Sequence, residues 1–222
     1  VRSNKAIELK NFSIGLPQKM TYGDGQEMET GICKQPVAEA FLTKEGFKGD
    51  GVADLRYHGG PDRAVCVYPH EHYLFWEEEF SRPLPASAFG ENLTVTNMLE
   101  KDVCIGDIFQ LGEAIIQVTQ GRIPCSTINK RTDNPVLLKR IVQTGFTGYL
   151  CRVLEEGAVR SDSHIRLLES HPKQVSILEG NDLYFHRPKE IEGIQRLLAV
   201  EELADEWKKL MKERLQKLTS LH

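Results

Sequence analysis

Among the five cysteines of this sequence, at positions 33, 66, 104, 125 and 151, one stands in company that suits thiol chemistry. Cys125 lies in the run Gln120-Gly121-Arg122-Ile123-Pro124-Cys125-Ser126-Thr127-Ile128-Asn129-Lys130-Arg131. The cations Arg122, Lys130 and Arg131 favour the thiolate, the form that attacks sulfur or ligates a soft metal. Pro124 restrains the local backbone, and Ser126 and Thr127 add hydroxyls. Residue types alone leave Cys125 open between such a role and that of a partly buried structural thiol. Cys66, Cys104 and Cys151 alternate with Val, Ile and Leu in strand-like segments, where inert core cysteines belong. Cys33 falls in a polar loop or edge and is undecided.

A second constellation is Tyr57-His58-Gly59-Gly60-Pro61-Asp62-Arg63. Two adjacent glycines let successive N–H groups converge as a backbone nest for an anion, and the Arg63 guanidinium can fork onto a phosphate. The plain alternative is a Gly-Gly-Pro turn before a strand, with Asp62 as its cap. The segment is not a phosphate-binding Walker loop, for it lacks the terminal Gly-Lys-Ser/Thr, and no GxGxxG occurs in the chain. A third is Phe89-Gly90-Glu91-Asn92-Leu93-Thr94, where the Asn92 amide can donate and accept at a heterocycle edge. By residue type alone, a strand-entry loop is the simpler account. His70-Glu71-His72 does not have the HExxH spacing, and residues two apart on a helix point to different sides.

Positioning these groups falls to a chain rich in short apolar runs. Ala6–Gly15, Ala64–Tyr68, Asn92–Thr96, Val103–Leu111, Ala114–Thr119 and Gly148–Leu154 read as strands bounded by Gly, Asp and Pro. Leu111-Gly112-Glu113-Ala114 reads as a tight hairpin. The spacing predicts helices over Pro69–Phe80, with Tyr73, Trp76 and Phe80 on one side, and over Pro135–Gln143. The fold class expected is mainly β, a closed or partly open β-barrel with inserted helices. After about Glu169 the strand pattern ends. Lys173–Glu179, Lys189–Leu198 and an amphipathic run through Val200, Leu203, Ala204, Trp207, Leu210, Met211 and Leu218 predict three helices. The domains expected are 1–169 and 170–222, and a chain cut after about Glu169 is expected to leave a folded barrel.

Composition sets the outer limits. With 222 residues, 28 Lys+Arg against 32 Asp+Glu and a net charge of −4, the chain is no whole-surface nucleic-acid binder. No apolar run approaches the ~18 residues of a membrane span, and the start lacks an apolar signal core. Scattered cysteines without a CxxC pair fit neither a disulfide framework nor a structural zinc site. A reduced, soluble, cytoplasmic protein is expected.

In series, these segments resemble the MOSC domain, the C-terminal domain type of molybdenum cofactor sulfurases, in its stand-alone bacterial YiiM-like branch. The resemblance rests on 53–65 (Ala-Asp-Leu-Arg-Tyr-His-Gly-Gly-Pro-Asp-Arg-Ala-Val), Glu71-His72-Tyr73 with Trp76, and Phe89–Thr94. It continues through Ile105-Gly106-Asp107, Arg122-Ile123-Pro124-Cys125, Gly148-Tyr149 and Arg152–Gly157, and the helical tail resembles the three-helix appendage of that branch. Two features depart from the family. Gly121 stands where a proline is common, which is expected to loosen the approach to Arg122, and Ser161-Asp162-Ser163 replaces a Gly-Asp turn.

The resemblance implies a β-barrel that binds a molybdenum cofactor of the molybdopterin type. It implies Cys125 as catalytic residue and molybdenum ligand, and His58, Gly59, Gly60, Asp62, Arg63, Asn92, Arg122 and Asn129 as cofactor-binding residues. Pyridoxal phosphate, held by the large sulfurases on a separate domain, is not expected on this chain. The activity implied is reduction of small N-hydroxylated compounds, including hydroxylaminopurine-type base analogues, with a reductase as partner. The alternative is a sulfur carrier in which Cys125 takes a persulfide from a cysteine desulfurase. A docking role for the helices fits either, and neither nucleic acid nor membrane is an expected partner.

Overall fold

The computed structural model describes residues 6–54 and 59–220. Its strands are β1 (Leu9–Ile14), β2 (Gln18–Tyr22), β3 (Gln26–Thr30), β4 (Gln35–Pro36), β5 (Glu39–Thr43), β6 (Gly46–Phe47), β7 (Val65–Pro69), β8 (Leu93–Val95), β9 (Ile108–Leu111), β10 (Ala114–Gly121), β11 (Tyr149–Glu155), β12 (Gly157–Arg160) and β13 (Ile165–Glu169). The α-helices are α1 (His70–Phe80), α2 (Thr127–Thr132), α3 (Leu137–Thr144), α4 (Ile177–Phe185), α5 (Ile191–Leu198) and α6 (Asp205–Thr219).

The main sheet runs β13-β9-β10-β11-β7-β8-β1-β4. Its neighbours are antiparallel except β7 and β8, which are parallel. A smaller sheet, β12-β5-β6, and the hairpin β2–β3 accompany it. The fold is mainly β with several helices, but the expected barrel is not closed. Among the described residues its two edges, β13 and β4, do not pair, and the open arrangement holds. One reason is local: β4 is two residues long and ends on Pro36, which has no N–H to give to a further strand.

Burial follows the strand period where one face meets solvent, as in β11, which alternates from Tyr149 to Val153. Nearly all of β10 is buried, because the helical tail covers what the sheet leaves open. A single apolar cluster joins Val65, Ile116 and Val118 of the sheet to Val175, Ile177, Leu197 and Trp207 of the tail. Backbone bonds stitch the same seam: Ile105 N–H donates to Val175 O at 2.9 Å, Ile177 N–H to Val103 O at 2.9 Å, and Ala204 N–H to Thr119 O at 3.1 Å. This shared core weighs against a sheet that folds without the tail. The two segments do have different periodicities, yet their apolar faces bury each other.

Three other local differences have plain causes. Residues 103–107 form a turn rather than strand, held by the buried Asp107, whose carboxylate accepts from Cys104 N–H at 2.8 Å and His171 N–H at 2.9 Å. A short helix, α2, follows Cys125 where the sequence reads as loop. Val200, Leu203 and Ala204 are buried in the turn ahead of α6 rather than on the helix itself.

A second apolar cluster anchors the loop that leads into β8. Tyr68 stacks on Phe89 with centroids 3.9 Å apart, and Trp76 Nε1–H donates to Tyr68 Oη at 2.8 Å. The buried Glu91 carboxylate accepts from Tyr73 Oη at 2.5 Å, Thr94 Oγ1 at 2.8 Å and Phe89 N–H at 3.2 Å. Asn92 is therefore delivered on a rigid support.

Candidate functional site

A cleft of about 700 Å³ opens between the loop before β7, the end of β10 and the β2–β3 hairpin. Gly59, Gly60, Arg63, Asn92, Arg122 and Cys125 all line it, although they come from three separate segments of the chain. His58 lies outside the described residues. Such a volume suits a cofactor or small substrate.

The Gly59-Gly60 loop contributes backbone rather than a compact nest. Gly59 has φ 82°, and Gly60 has φ 93° with ψ 162°, a conformation that glycine alone adopts without strain but that differs from the left-handed turn of an anion nest. Arg63 is held from two sides: its Nε–H donates to Gly59 O at 2.7 Å, and Nη1–H to Glu206 Oε2 at 2.6 Å. Glu206 belongs to α6 and lines the cleft, so the helical tail reaches the site.

Three residues assigned to cofactor binding by resemblance have other work. Asp62 does not line the cleft. Its carboxylate accepts from Arg152 Nη2–H at 2.6 Å and from Asp205 N–H at 2.9 Å, bolting the turn to β11 and α6. Asn129 also lies off the cleft. Its Nδ2–H donates to Pro135 O at 2.8 Å and its Oδ1 accepts from Leu138 N–H at 2.8 Å, tying α2 to α3. Asn92 lines the cleft, but its amide is engaged within the protein. Oδ1 accepts from Cys66 N–H at 3.0 Å, while Nδ2 donates to Asp50 Oδ2 at 2.8 Å and Ser13 O at 3.3 Å. Both of its amide hydrogens are spent, so it orders the cleft floor.

Arg122 and Cys125 keep their place. Arg122 is fixed by its backbone N–H, which donates to Gly148 O at 3.0 Å, and its buried Nη1 has no protein partner among the described residues. Gly121 does not loosen this segment. A Cβ there would sit 1.9 Å from Asn181 Oδ1 and 3.3 Å from Trp207, so α4 and α6 clamp the strand end where only glycine fits. Cys125 is half-buried two residues before α2. Of the three cations near it in sequence, Arg122 alone lines the cleft. Lys130 turns onto Tyr22 of β2, with Nζ 4.4 Å from the ring centre.

Several cleft residues were not singled out from the sequence. Cys66, expected in the core, lines the cleft instead, because Val65 and Val67 take the inward face of β7. Burial pushes its thiol up, while the Arg122 charge opposes that shift. Lys34 and Asp50 form an ion pair in the cleft wall, with side chains only 6% and 13% exposed. Asp50 also accepts from Gly15 N–H at 2.8 Å. Sixteen residues of sequence separate the two, so no motif announces them. Gln120 is 1% exposed and lines the cleft with Oε1 unpartnered among the described residues. Its position at the end of β10, two residues before Arg122, was the available signal.

The comparisons with known proteins agree with this architecture. Residues 54–166 match the MOSC domain model, and residues 175–218 match the model described as the YiiM-like, 3-alpha helix domain. The uncharacterized protein YflK of Bacillus subtilis (strain 168) is 47% identical over 89% of this chain and 90% of its own length. A protein described as "Reductase" from Gibberella moniliformis (strain M3125 / FGSC 7600) is 39% identical over 69% of this chain, which corresponds to 28% of that protein. The crystal structure of YiiM from Geobacillus stearothermophilus superposes with a TM-score of 0.79 at 33% identity, covering 94% of this chain and 99% of that one. The chain belongs to the MOSC domain family, among the YiiM-like members that carry a C-terminal three-helix domain.

Proposed function

We propose that the cleft binds a molybdenum cofactor of the molybdopterin type and that the protein reduces N-hydroxylated compounds such as hydroxylaminopurine-type bases. The observation that carries this reading is the set of groups gathered in one cleft: the unpartnered Arg122 Nη1, the unpartnered Gln120 Oε1 and the half-buried Cys125. Buried polar atoms are nearly always satisfied, so an orphan donor and an orphan acceptor beside a thiol fit a ligand that is anionic, heterocyclic and thiophilic. A molybdenum pterin combines those three properties and supplies, when bound, a two-electron redox centre.

In this reading the Cys125 thiolate would ligate the metal, Arg63 would face the anionic part, and Arg122 would lie against the heterocycle. Asn92, Asp50 and Lys34 hold the wall against which the group lies. Asp62 and Glu206 position Arg63 rather than touch the ligand. The reaction is R–NHOH + 2e⁻ + 2H⁺ → R–NH₂ + H₂O, in which the N–O bond breaks and the oxygen leaves as water. A reductase partner supplies the electrons. The family and the reductase name of the Gibberella relative support this redox class.

The test is metal analysis with pterin fluorescence, on protein made in a host that synthesises the cofactor. Molybdenum near one per chain in the wild type, falling to background in a folded Cys125→Ser variant, is the expected result. A metal-free wild-type protein that gains one sulfur from a cysteine desulfurase would replace this reading with the sulfur-carrier one.

A further inference from the structure

We propose that Gln120 and Arg122 form a recognition edge for a flat nitrogen heterocycle whose rim carries an N–H donor beside an acceptor. The proposal deepens the cofactor-and-reductase reading and rests on it for the choice of ligands. Gln120 is the penultimate residue of β10 and Arg122 follows its last, and both of these line the cleft. Gln120 is 1% exposed, and one of its two Nε2 hydrogens goes to Gly121 O at 3.2 Å, which orients the amide and leaves Oε1 to accept. Arg122 Nη1 is a donor left in the same cleft, also buried and without a protein partner among the described residues.

This acceptor–donor pair selects chemistry. A phosphate or carboxylate offers only acceptors, so it would satisfy Arg122 and be repelled by Gln120 Oε1. An amidine-like edge, with an exocyclic N–H next to a ring nitrogen, satisfies both at once. Apolar side chains in the same cleft, Ile32, Phe47 and Ile123, suit the faces of such a ring. An aminopurine substrate and the aminopyrimidinone end of a pterin both carry this edge, so the two sources must be separated by experiment.

Isothermal titration of the full chain compares adenine with purine, which lacks the exocyclic amine, and pterin with 4-hydroxypteridine, which lacks the 2-amino group. The wild type is expected to favour the amino member of at least one pair by roughly 3- to 10-fold, the worth of one net hydrogen bond. In Gln120→Leu that preference should vanish. Where Gln120→Leu does not fold, Gln120→Met, closer in shape, takes its place. A preference in the purine pair assigns the edge to the substrate, and one in the pterin pair assigns it to the cofactor. No preference in either wild-type pair, or a preference that survives the substitution, overturns the proposal. Because the titration needs no molybdenum, a wild-type chain found metal-free in the analysis above would sink the cofactor reading, while a Gln120-dependent preference would still leave this edge standing.

Discussion

Replacing Trp207 by alanine should unfold the sheet together with the helices that cover it. The indole is fully buried and stacks on Tyr184 with centroids 5.1 Å apart. It lies 3.1 Å from the position of a Cβ on Gly180 and 3.3 Å from that of one on Gly121, so it fills the seam between α4 and the end of β10. Truncating a buried tryptophan costs about 3–5 kcal/mol, the sum of lost transfer energy and the cavity left behind. At this chain length each kcal/mol moves Tm by roughly 2–4 °C, so Tm should fall by about 6–20 °C. Trp207→Phe should cost only about 1–2 kcal/mol, because it also removes an indole N–H that is buried without a partner among the described residues. Calorimetry gives the transition. Fluorescence of Trp76, the one tryptophan remaining of two, reports the sheet side, because this residue of α1 packs onto Tyr68 of β7. Two resolved calorimetric transitions, or a Trp76 signal that melts at the wild-type temperature in Trp207→Ala, would refute the shared core.

The remaining predictions concern the strand end and alkaline stability. Gly121→Ala drives a methyl into Asn181 Oδ1, and Asn181 cannot retreat without losing its bonds to Gly145 O and Thr147 Oγ1, both at 2.9 Å. The expected loss is about 2–4 kcal/mol in denaturant midpoint, largely recovered by adding Asn181→Ala; a loss below about 1 kcal/mol would contradict the clamp. Burial first, then the neighbouring Cys66, raises the Cys151 thiol above its ordinary value of 9.0. The folded chain therefore holds that proton after the unfolded chain has released it, so stability is full below pH 9 and falls as pH rises further. The slope is at most about 1.4 kcal/mol per pH unit for this group. Cys151→Ala should flatten the fall between pH 9 and 10, below the range where buried Tyr68, Tyr73 and Tyr149 add the same effect; equal slopes in both proteins would dismiss the thiol's part.

What the sequence made legible, and what it hid, divides along a physical line. Strands such as β7, β10 and β11 show themselves because burial on a pleated sheet imposes a period on residue type. Helix α1 shows itself because Pro69 and the spacing of Tyr73 and Trp76 admit little else. The assembly of Gly59, Gly60, Arg63, Arg122 and Cys125 followed from an ordered series of motifs. The roles of Asp62, Asn92 and Asn129 did not, since a polar side chain in a loop does not reveal whether its bonding capacity is already spent inside the protein. Cys66 was misread for a different reason: alternation placed it on a strand but left open which face the core would take.

The tail carried the deepest ambiguity. Its amphipathic run states that one face must be buried but names no partner, and an independent bundle satisfies that pattern as well as a sheet does. The partner proves to be β10, the strand that ends at Gly121, between Gln120 and Arg122 of the cleft. Trp207 and Asn181 press on Gly121 between them, and Glu206 reaches round to hold Arg63. The helical domain thus stands directly behind the recognition edge and beside its flanking cation. A change in the tail that leaves the fold intact is accordingly placed to alter ligand binding through Gly121 or Arg63, with Glu206 alone among the described tail residues lining the cleft itself.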